Sequence, residues 1–200
     1  MKILLLVLLQ STLANDFKLV KNENSIALYE RWILHNGNRV RELKADFQVS
    51  QVTAERLELL LKNGPKGLRW NNNASLYKVI PGKDAKAWQV YVQYDLPWPM
   101  KDLDCLLAYQ VKDNPLNGSS TEISFKGIES PQFPASDNFN RMSGTEGKWL
   151  LQEQGGELNV TYMVKTDRSR QVPRWVSDPI VHENLFKTMS QFKKLLEEKQ

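Results

Sequence analysis

The chain has 200 residues, of which 41% are hydrophobic and 25% are charged, and its formal net charge at pH 7 is +4. These values are typical of one globular domain that is large enough to bury a core and still enclose a cavity. The basic residues are scattered along the chain, which disfavours a nucleic-acid surface. The mild positive charge allows a weak attraction to anionic lipid headgroups.

The first fourteen residues have the pattern of a secretory signal peptide. Lys2 is followed by an unbroken apolar run at residues 3–9, and small residues surround Ala14 at a suitable cleavage position. The apolar run is too short to span a bilayer. We therefore expect residues 1–14 to be removed and residues 15–200 to form a single domain that is exported to the periplasm or the extracellular space.

A hairpin and a helix are predicted at the start of this domain. Residues 25–32 are rich in apolar and aromatic side chains, and residues 40–49 alternate apolar with polar side chains, as a half-buried strand does. The Asn36-Gly37 pair between them is a strong hairpin signal. Residues 51–62 then have a helical composition, and Asn63-Gly64-Pro65 ends the helix.

The rest of the chain up to residue 166 is predicted to be rich in β-strands. The predicted strands are residues 76–80, 86–94, 105–112, 121–128, 141–152 and 157–166. The last strand alternates apolar and polar side chains cleanly, which indicates that one face of the sheet is buried.

A rigid corner separates the strands at residues 86–94 and 105–112. It contains Pro97-Trp98-Pro99, and neither proline can donate a backbone hydrogen bond, so the segment cannot lie inside a ladder. The large Trp98 ring needs a surface against which to pack. Cys105, the only cysteine, follows this corner; it cannot form an internal disulfide and is expected to be a small buried hydrophobe.

The C-terminus is predicted to be one long amphipathic helix. Its apolar stripe consists of Val181, Leu185, Met189, Phe192 and Leu196. Asp178-Pro179 has the pattern of an N-cap and a first helical residue. These elements predict an α+β fold, in which a curved antiparallel sheet wraps around the long C-terminal helix and short helices follow the second strand.

Several segments, in order along the chain, resemble the START domains, lipid-binding proteins of the helix-grip superfamily. These segments are residues 25–31, 68–70, 94–104, 141–149 and 172–176. The match covers roughly residues 16–194 and is similar to an exported bacterial-type member. Other helix-grip branches, the cyclase-like and plant-allergen-like proteins, are the alternative. The family pattern also starts the last helix near Pro173-Arg174-Trp175, with Pro179 inside it.

The resemblance implies one apolar, lipid-like ligand in a cavity between the sheet and the C-terminal helix, bound without a cofactor. Residues 129–140 would be a lid over the cavity mouth, or alternatively a plain surface loop. The side chains implied to line the cavity are Trp98, Asp104, Leu107, Tyr109, Phe125, Phe133, Phe139, Arg141, Trp149, Tyr162, Trp175, Leu185 and Met189.

The sequence departs from the family after the corner, where Leu103 replaces the usual arginine before Asp104. A buried carboxylate without a partner is costly or becomes protonated. Asp104 is therefore expected to accept backbone hydrogen bonds or to pair with Arg141 or Arg69. Because the next strand also lacks an arginine, a sterol or another weakly polar lipid is the expected ligand.

No catalytic constellation is present in the sequence, which has no nucleophile elbow, no phosphate-binding loop and no pair of histidines at metal-ligand spacing. We therefore expect a monomeric lipid carrier or sensor without a metal, which contacts membrane surfaces transiently. The alternative is a cavity enzyme of the cyclase or hydrolase kind that uses Tyr109, Asp104 or Arg141. A third interpretation is a structural envelope protein whose cavity is filled by side chains.

Overall fold

The computed structural model describes residues 16–35, 37–96, 98, 100–113, 120–166 and 174–198, without the side chains of residues 113, 166 and 174–178. The predicted signal peptide and both prolines of the corner lie outside these residues. Ten strands and three helices follow one another. They are β1 (Lys18–Glu23), β2 (Ile26–His35), β3 (Asn38–Ser50), α1 (Ala54–Leu61), α2 (Gly64–Trp70), β4 (Ala74–Pro81), β5 (Ala87–Tyr94), β6 (Leu103–Asp113), β7 (Ser120–Gly127), β8 (Asn140–Arg141), β9 (Glu146–Gln154), β10 (Glu157–Thr166) and α3 (Arg174–Glu197).

All ten strands belong to one curved sheet. Its order is β1-β2-β3-β10-β9-β7-β6-β5-β4, and the neighbouring strands along this path are antiparallel. The short β8 pairs with the start of β6 in the parallel direction. The chain can therefore leave the sheet after β7, form a loop and return beside the corner, which positions the loop at residues 128–139.

The first strand is a feature that the sequence analysis missed. β1 pairs with β2 through a two-residue turn in which Asn24 has a φ of 52° and Ser25 a φ of 58°. Positive φ at both central residues is the geometry of a type I′ hairpin turn. With β1 present, the short helices follow the third strand and not the second.

The two short helices are held by their caps. The Thr53 side chain accepts a hydrogen bond from the Arg56 backbone N–H at 3.2 Å, and Asn63 accepts one from the Lys66 N–H at 2.9 Å. Asn63 thus ends the first predicted helix and starts a second one. Both helices pack beside α3 at one end of the sheet.

The long helix α3 begins at Arg174, so the prediction of an N-cap at Asp178 was wrong. The family pattern had placed the start near Arg174 and Pro179 inside the helix, and this is the observed arrangement. Pro179 is the sixth residue of α3, so its missing N–H removes one intrahelical hydrogen bond near the start of the helix. The helix packs against one face of the sheet, which we call the inner face; the opposite face is the outer face.

Candidate functional site

A chain of aromatic rings crosses the inner face and reaches α3. Successive ring centroids lie between 4.5 and 5.9 Å apart. In order along this ring chain, the rings are those of Trp88, Tyr109, Phe125, Tyr162, Trp149, Phe192, Trp70 and Tyr77. These rings come from six strands and two helices, so they join the sheet to the helices in one apolar cluster.

Gly147 makes the middle of this ring chain possible. It lies on β9 between Phe125 of β7 and β10, and a Cβ at this position would approach the Met163 carbonyl oxygen to 2.2 Å and the Phe125 ring to 2.4 Å. Without a side chain at Gly147, the Phe125 ring extends across β9 and stacks on Tyr162 at 5.9 Å. Two strands that are not neighbours are thereby joined through their rings.

The packing between α3 and the inner face is complete at one end only. In the C-terminal half of the helix, Met189, Phe192 and Leu196 are at most 1% exposed. Leu185, in the N-terminal half, is only half-buried, although it packs against the core. The inner-face side chains that are likewise half-buried include Tyr94, Met142, Tyr162 and Val164.

Two of these side chains, Val164 and Tyr94, can be placed beside the N-terminal half of α3 through their neighbours. Val164 pairs with Leu43, Leu43 pairs with Glu30, and the Glu30 carboxylate contacts His182 of α3 at 3.1 Å. On the other side, Tyr94 accepts a hydrogen bond from Asn71. We call the region between these two boundaries the half-packed region. It contains the half-buried side chains of Tyr94, Tyr162, Val164 and Leu185, whose apolar surface the core does not fully cover.

The uncovered surface belongs to side chains that lie deep in the protein. Burial raises the pKa of the Tyr94 and Tyr162 hydroxyls above their usual value, and the nearby Cys105 thiol raises it further. Accessible surface on such deep groups indicates an internal space rather than open solvent. Cys105 is itself buried in the core, so the prediction of a small buried hydrophobe is confirmed, and burial raises the pKa of its thiol to about 12.

The buried hydroxyls and the thiol make the protein sensitive to alkali. Between the ordinary thiol pKa of 9.0 and about 12, the unfolded chain loses protons that the folded chain keeps. The free energy of unfolding must therefore fall as the pH rises through this range, because the folded state binds more protons. Urea unfolding at about pH 8 and about pH 10.5 measures the loss. Equal stability at both values would contradict the burial of these groups.

The N-terminal half of α3 is held to the sheet by polar contacts around the half-packed region. Lys21 of β1 donates to Glu183 at 2.8 Å, and His182 contacts Glu30 at 3.1 Å. The Asn72 amide donates to the Asn184 side chain at 3.0 Å. These contacts are polar and only part-buried, so water competes with them more readily than with the apolar contacts of the C-terminal half.

A second polar cluster is centred on Asp104, which is 1% exposed. Arg141 donates two hydrogen bonds to its carboxylate, at 2.7 and 2.8 Å, and the Tyr91 hydroxyl donates a third at 2.9 Å. Hydrogen bonding to Asp104 raises the pKa of Arg141. The expectation that Asp104 finds Arg141 is confirmed, and the pair replaces the arginine that is missing at Leu103.

This cluster lies on the outer face, so the prediction that Asp104 and Arg141 line the cavity was wrong. Side chains alternate between the faces of a strand, and the neighbour of Asp104, Cys105, points into the core. Phe133 was predicted to line the cavity as well, but its ring stacks on Tyr91 of the outer face at 4.5 Å.

The loop at residues 128–139 is fixed to the outer face by Arg141. Besides binding Asp104, the guanidinium donates to the Phe133 and Pro134 carbonyl oxygens at 3.2 Å. These contacts and the stacking of Phe133 on Tyr91 hold the loop against the outer face, which supports the surface-loop alternative. Phe139 is half-buried in the same loop.

Trp98 is 92% exposed, so the prediction that it lines the cavity was wrong. The corner that carries it is held by Asp102, whose carboxylate accepts a hydrogen bond from the Leu96 N–H at 2.8 Å. Next to the corner, the Asp95 N–H donates to the Asn73 carbonyl at 2.9 Å. The ring therefore projects into solvent from the end of β5, close to the N-terminal half of α3.

The other predicted lining residues divide into three groups. Tyr162 and Leu185 belong to the half-packed region, and the Trp175 side chain lies outside the described part of the chain. The residues that are buried in the inner core are Leu107, Tyr109, Phe125, Trp149 and Met189. Sequence reasoning missed Tyr94, Met142 and Val164, although the alternation along β5 and β10 places Tyr94 and Val164 on the inner face.

Neither a metal-binding cluster nor a membrane-spanning helix is found among the described residues. They contain no group of three or more His, Cys, Asp or Glu side chains that could hold a metal ion. No helix in this part of the chain has the length and apolar character that a membrane span requires.

Comparison with known proteins shows which fold this is. No protein-family model matches the chain. The uncharacterized protein PA1579 of Pseudomonas aeruginosa is 25% identical over 172 residues, which cover 86% of this chain and 82% of that protein. Among solved structures, the STAR-related lipid transfer protein of Xanthomonas axonopodis matches with a TM-score of 0.78 and 18% identity, covering 91% of this chain and 99% of that one.

Two further structures show the range of the likeness. The human StAR-related lipid transfer protein 5 matches with a TM-score of 0.74 and 15% identity, covering 94% of this chain and 88% of that chain. An aromatase/cyclase from Streptomyces matches less well, with a TM-score of 0.52 and 10% identity over 79% of this chain and 94% of that one. The chain therefore has the helix-grip fold of the START domains.

Proposed function

We propose that the protein binds a single apolar, lipid-like molecule between the inner face and the N-terminal half of α3. The observation that carries this proposal is the half-packed region, where deep apolar side chains keep accessible surface while the other half of the helix is fully packed. Largely preformed, mostly apolar cavities with a few polar groups are the usual form of small-molecule sites. The likeness to lipid transfer proteins supports a lipid as the ligand class.

The polar groups within this region favour a weakly polar ligand over a charged headgroup, because the carboxylates at its boundary, Glu30 and Glu183, already contact His182 and Lys21. The hydroxyls of Tyr94 and Tyr162 and the Cys105 thiol are neutral at physiological pH, because their ordinary pKa values lie above it and burial raises each pKa further. The buried ion pair of Asp104 and Arg141 is on the other face of the sheet. A sterol or a similar molecule with one hydroxyl or carbonyl group fits these neutral partners.

A substitution that fills the half-packed region tests the proposal. Val164→Trp is expected to weaken ligand binding at least roughly tenfold, because the larger ring occupies the space of the ligand. Native mass spectrometry of the protein purified from cells measures the bound fraction. Leu34→Trp is the matched control, since Leu34 is 79% exposed on β2. An empty wild-type protein whose melting temperature no lipid in a panel raises would refute the proposal.

The enzyme alternative receives less support. Of the three groups that it requires, Tyr109 points into the inner core, whereas Asp104 and Arg141 meet on the outer face. A substrate on the inner side of the sheet would reach only Tyr109. We propose a carrier or sensor for this reason; a bound ligand that is chemically altered by the wild-type protein but not by Tyr109→Phe would reverse this preference.

We further propose that Trp98 contacts a membrane surface when ligand is exchanged. Tryptophan prefers the interface between headgroups and hydrocarbon, and a ring that is 92% exposed is available for it. Trp98→Ala is expected to reduce binding to phosphatidylcholine vesicles several-fold, by removing one interfacial anchor. Vesicle sedimentation measures the bound fraction, with Leu34→Ala as the control. Equal sedimentation of Trp98→Ala and wild type would contradict this role.

Export and a monomeric state stay predictions. Export depends on residues 1–14, which lie outside the described part of the chain. The mass of the mature protein from a periplasmic extract tests the cleavage after Ala14, and light scattering of the same sample tests the monomer.

A further inference from the structure

The outer face carries a groove with a volume of about 910 Å³ that is separate from the half-packed region. It runs across β5, β6, β7, β9, β10 and β3, which are consecutive neighbours in the sheet. Trp88, Tyr109 and Phe125 border it although their rings point into the core, so their backbone forms its floor. We call this feature the outer groove.

Two rows of outward side chains form the walls of the outer groove. The cross-strand register places Ala108, Lys126, Glu146, Lys165 and Glu42 in one row. The same register places Gln110, Ser124, Lys148 and Met163 in the other row. The side chains of Ala108 and Ser124 are small, so the walls leave room for an occupant above β6 and β7.

The dimensions of the outer groove suit one extended chain. Five steps between neighbouring strands, at about 4.8 Å each, give a length of about 24 Å. The two walls are two residues apart along each strand, which is about 6.8 Å. A groove of this length and width matches an extended peptide of about seven residues.

Lysine side chains dominate the charge of the groove. Five lysines line it, of which Lys83, Lys112 and Lys126 are exposed and form no ion pair within the described part of the chain. Lys148 and Lys165 have acidic partners at 3.3 and 3.1 Å. Three unpaired cations along one groove produce a positive potential that attracts an anionic occupant.

The two acidic side chains of the groove do not cancel this charge. Glu42 pairs with Arg31 at 2.6 Å, and Glu146 contacts both Lys165 and His35. Each carboxylate thus already has a basic partner. The lysines at the β4–β5 turn, on β6 and on β7 stay available for an occupant.

We propose that the outer groove binds an extended, acidic segment of a partner protein. The shape disfavours a flat membrane surface, which would touch the rims but not the floor. It also disfavours single-stranded nucleic acid, because such strands are bound by stacking on exposed rings. Here the rings of Trp88, Tyr109 and Phe125 all face the core. Carboxylates at alternate positions of a peptide are about 6.8 Å apart and the strands about 4.8 Å, and the long, flexible lysine side chains can span this difference.

The proposal is tested with a fluorescein-labelled peptide of eight residues that alternates Glu and Gly. Fluorescence anisotropy at low ionic strength is expected to show binding by the wild type. The triple variant Lys83→Glu, Lys112→Glu, Lys126→Glu is expected to bind roughly tenfold more weakly or worse. The control variant Lys18→Glu, Lys101→Glu, Lys194→Glu carries the same charge change at exposed positions outside the groove and is expected to bind like the wild type.

A second variant separates the groove from general charge attraction. Ala108→Trp places a large ring in one wall and blocks the groove without changing any charge, and it is expected to abolish peptide binding while circular dichroism stays unchanged. Equal loss of affinity in both triple variants, or peptide binding by Ala108→Trp at wild-type strength, would overturn the proposal. So would binding of vesicles containing phosphatidylglycerol through the same three lysines in the absence of any peptide binding.

Discussion

Replacing Arg141 by methionine is expected to lower the free energy of unfolding by about 3–5 kcal/mol, the usual result of removing one partner of a buried ion pair. The substitution leaves the Asp104 carboxylate, 1% exposed, with the Tyr91 hydroxyl but without its cation. It also removes the hydrogen bonds that hold the Phe133 and Pro134 carbonyls. Urea unfolding followed by circular dichroism measures the change.

Two further variants show whether the buried charge is the cause. In Lys148→Met the lost pair, with Glu122, is partly exposed at both ends, so the expected change is below about 1 kcal/mol. Adding Asp104→Leu to Arg141→Met removes the stranded charge and is expected to restore part of the stability. If Arg141→Met were as stable as Lys148→Met, the ion pair would be a minor contact and the outer cluster would need another explanation.

The same ion pair shows where sequence reasoning reached its limit. The pairing of Asp104 with Arg141 could be predicted, because a buried carboxylate needs a partner. Its face was wrongly predicted, because the family resemblance placed side chains of both strand parities in one cavity. Asp104 is three residues from Leu107 and five from Tyr109, so these side chains cannot share a face of one regular strand. The alternation rule alone would have separated them.

Other features of the fold depended on information that short-range patterns do not contain. The long helix and most strands were predictable from their periodicity. The strand β1 was not, because it is short and largely polar, and its turn uses Asn24 and Ser25 with positive φ. The half-packed region depends on how α3 lies over strands that are distant in sequence, such as β2 and β10.

Replacing Phe192 by alanine is expected to lower the free energy of unfolding by about 3–5 kcal/mol, which is typical when a fully buried aromatic ring is removed. Phe192 is 0% exposed and its ring lies 4.9 Å from Trp70 and 4.7 Å from Trp149. The substitution therefore interrupts the ring chain at the point where α3 joins it. The cavity that it leaves cannot close unless two tryptophan side chains move. Urea unfolding measures the loss of stability.

The comparison of Phe192→Ala with Val164→Trp divides α3 into two parts with different roles. Phe192 belongs to the fully packed C-terminal half, so its loss is expected to reduce stability while the folded protein still binds its ligand. Val164 faces the half-packed region, so filling this region is expected to remove the ligand with little loss of stability. The reverse result, with ligand lost in Phe192→Ala and kept in Val164→Trp, would move the site to the other end of the helix. Such separate effects are possible because only the N-terminal half leaves apolar surface uncovered, and a ligand can stabilise that half by covering it.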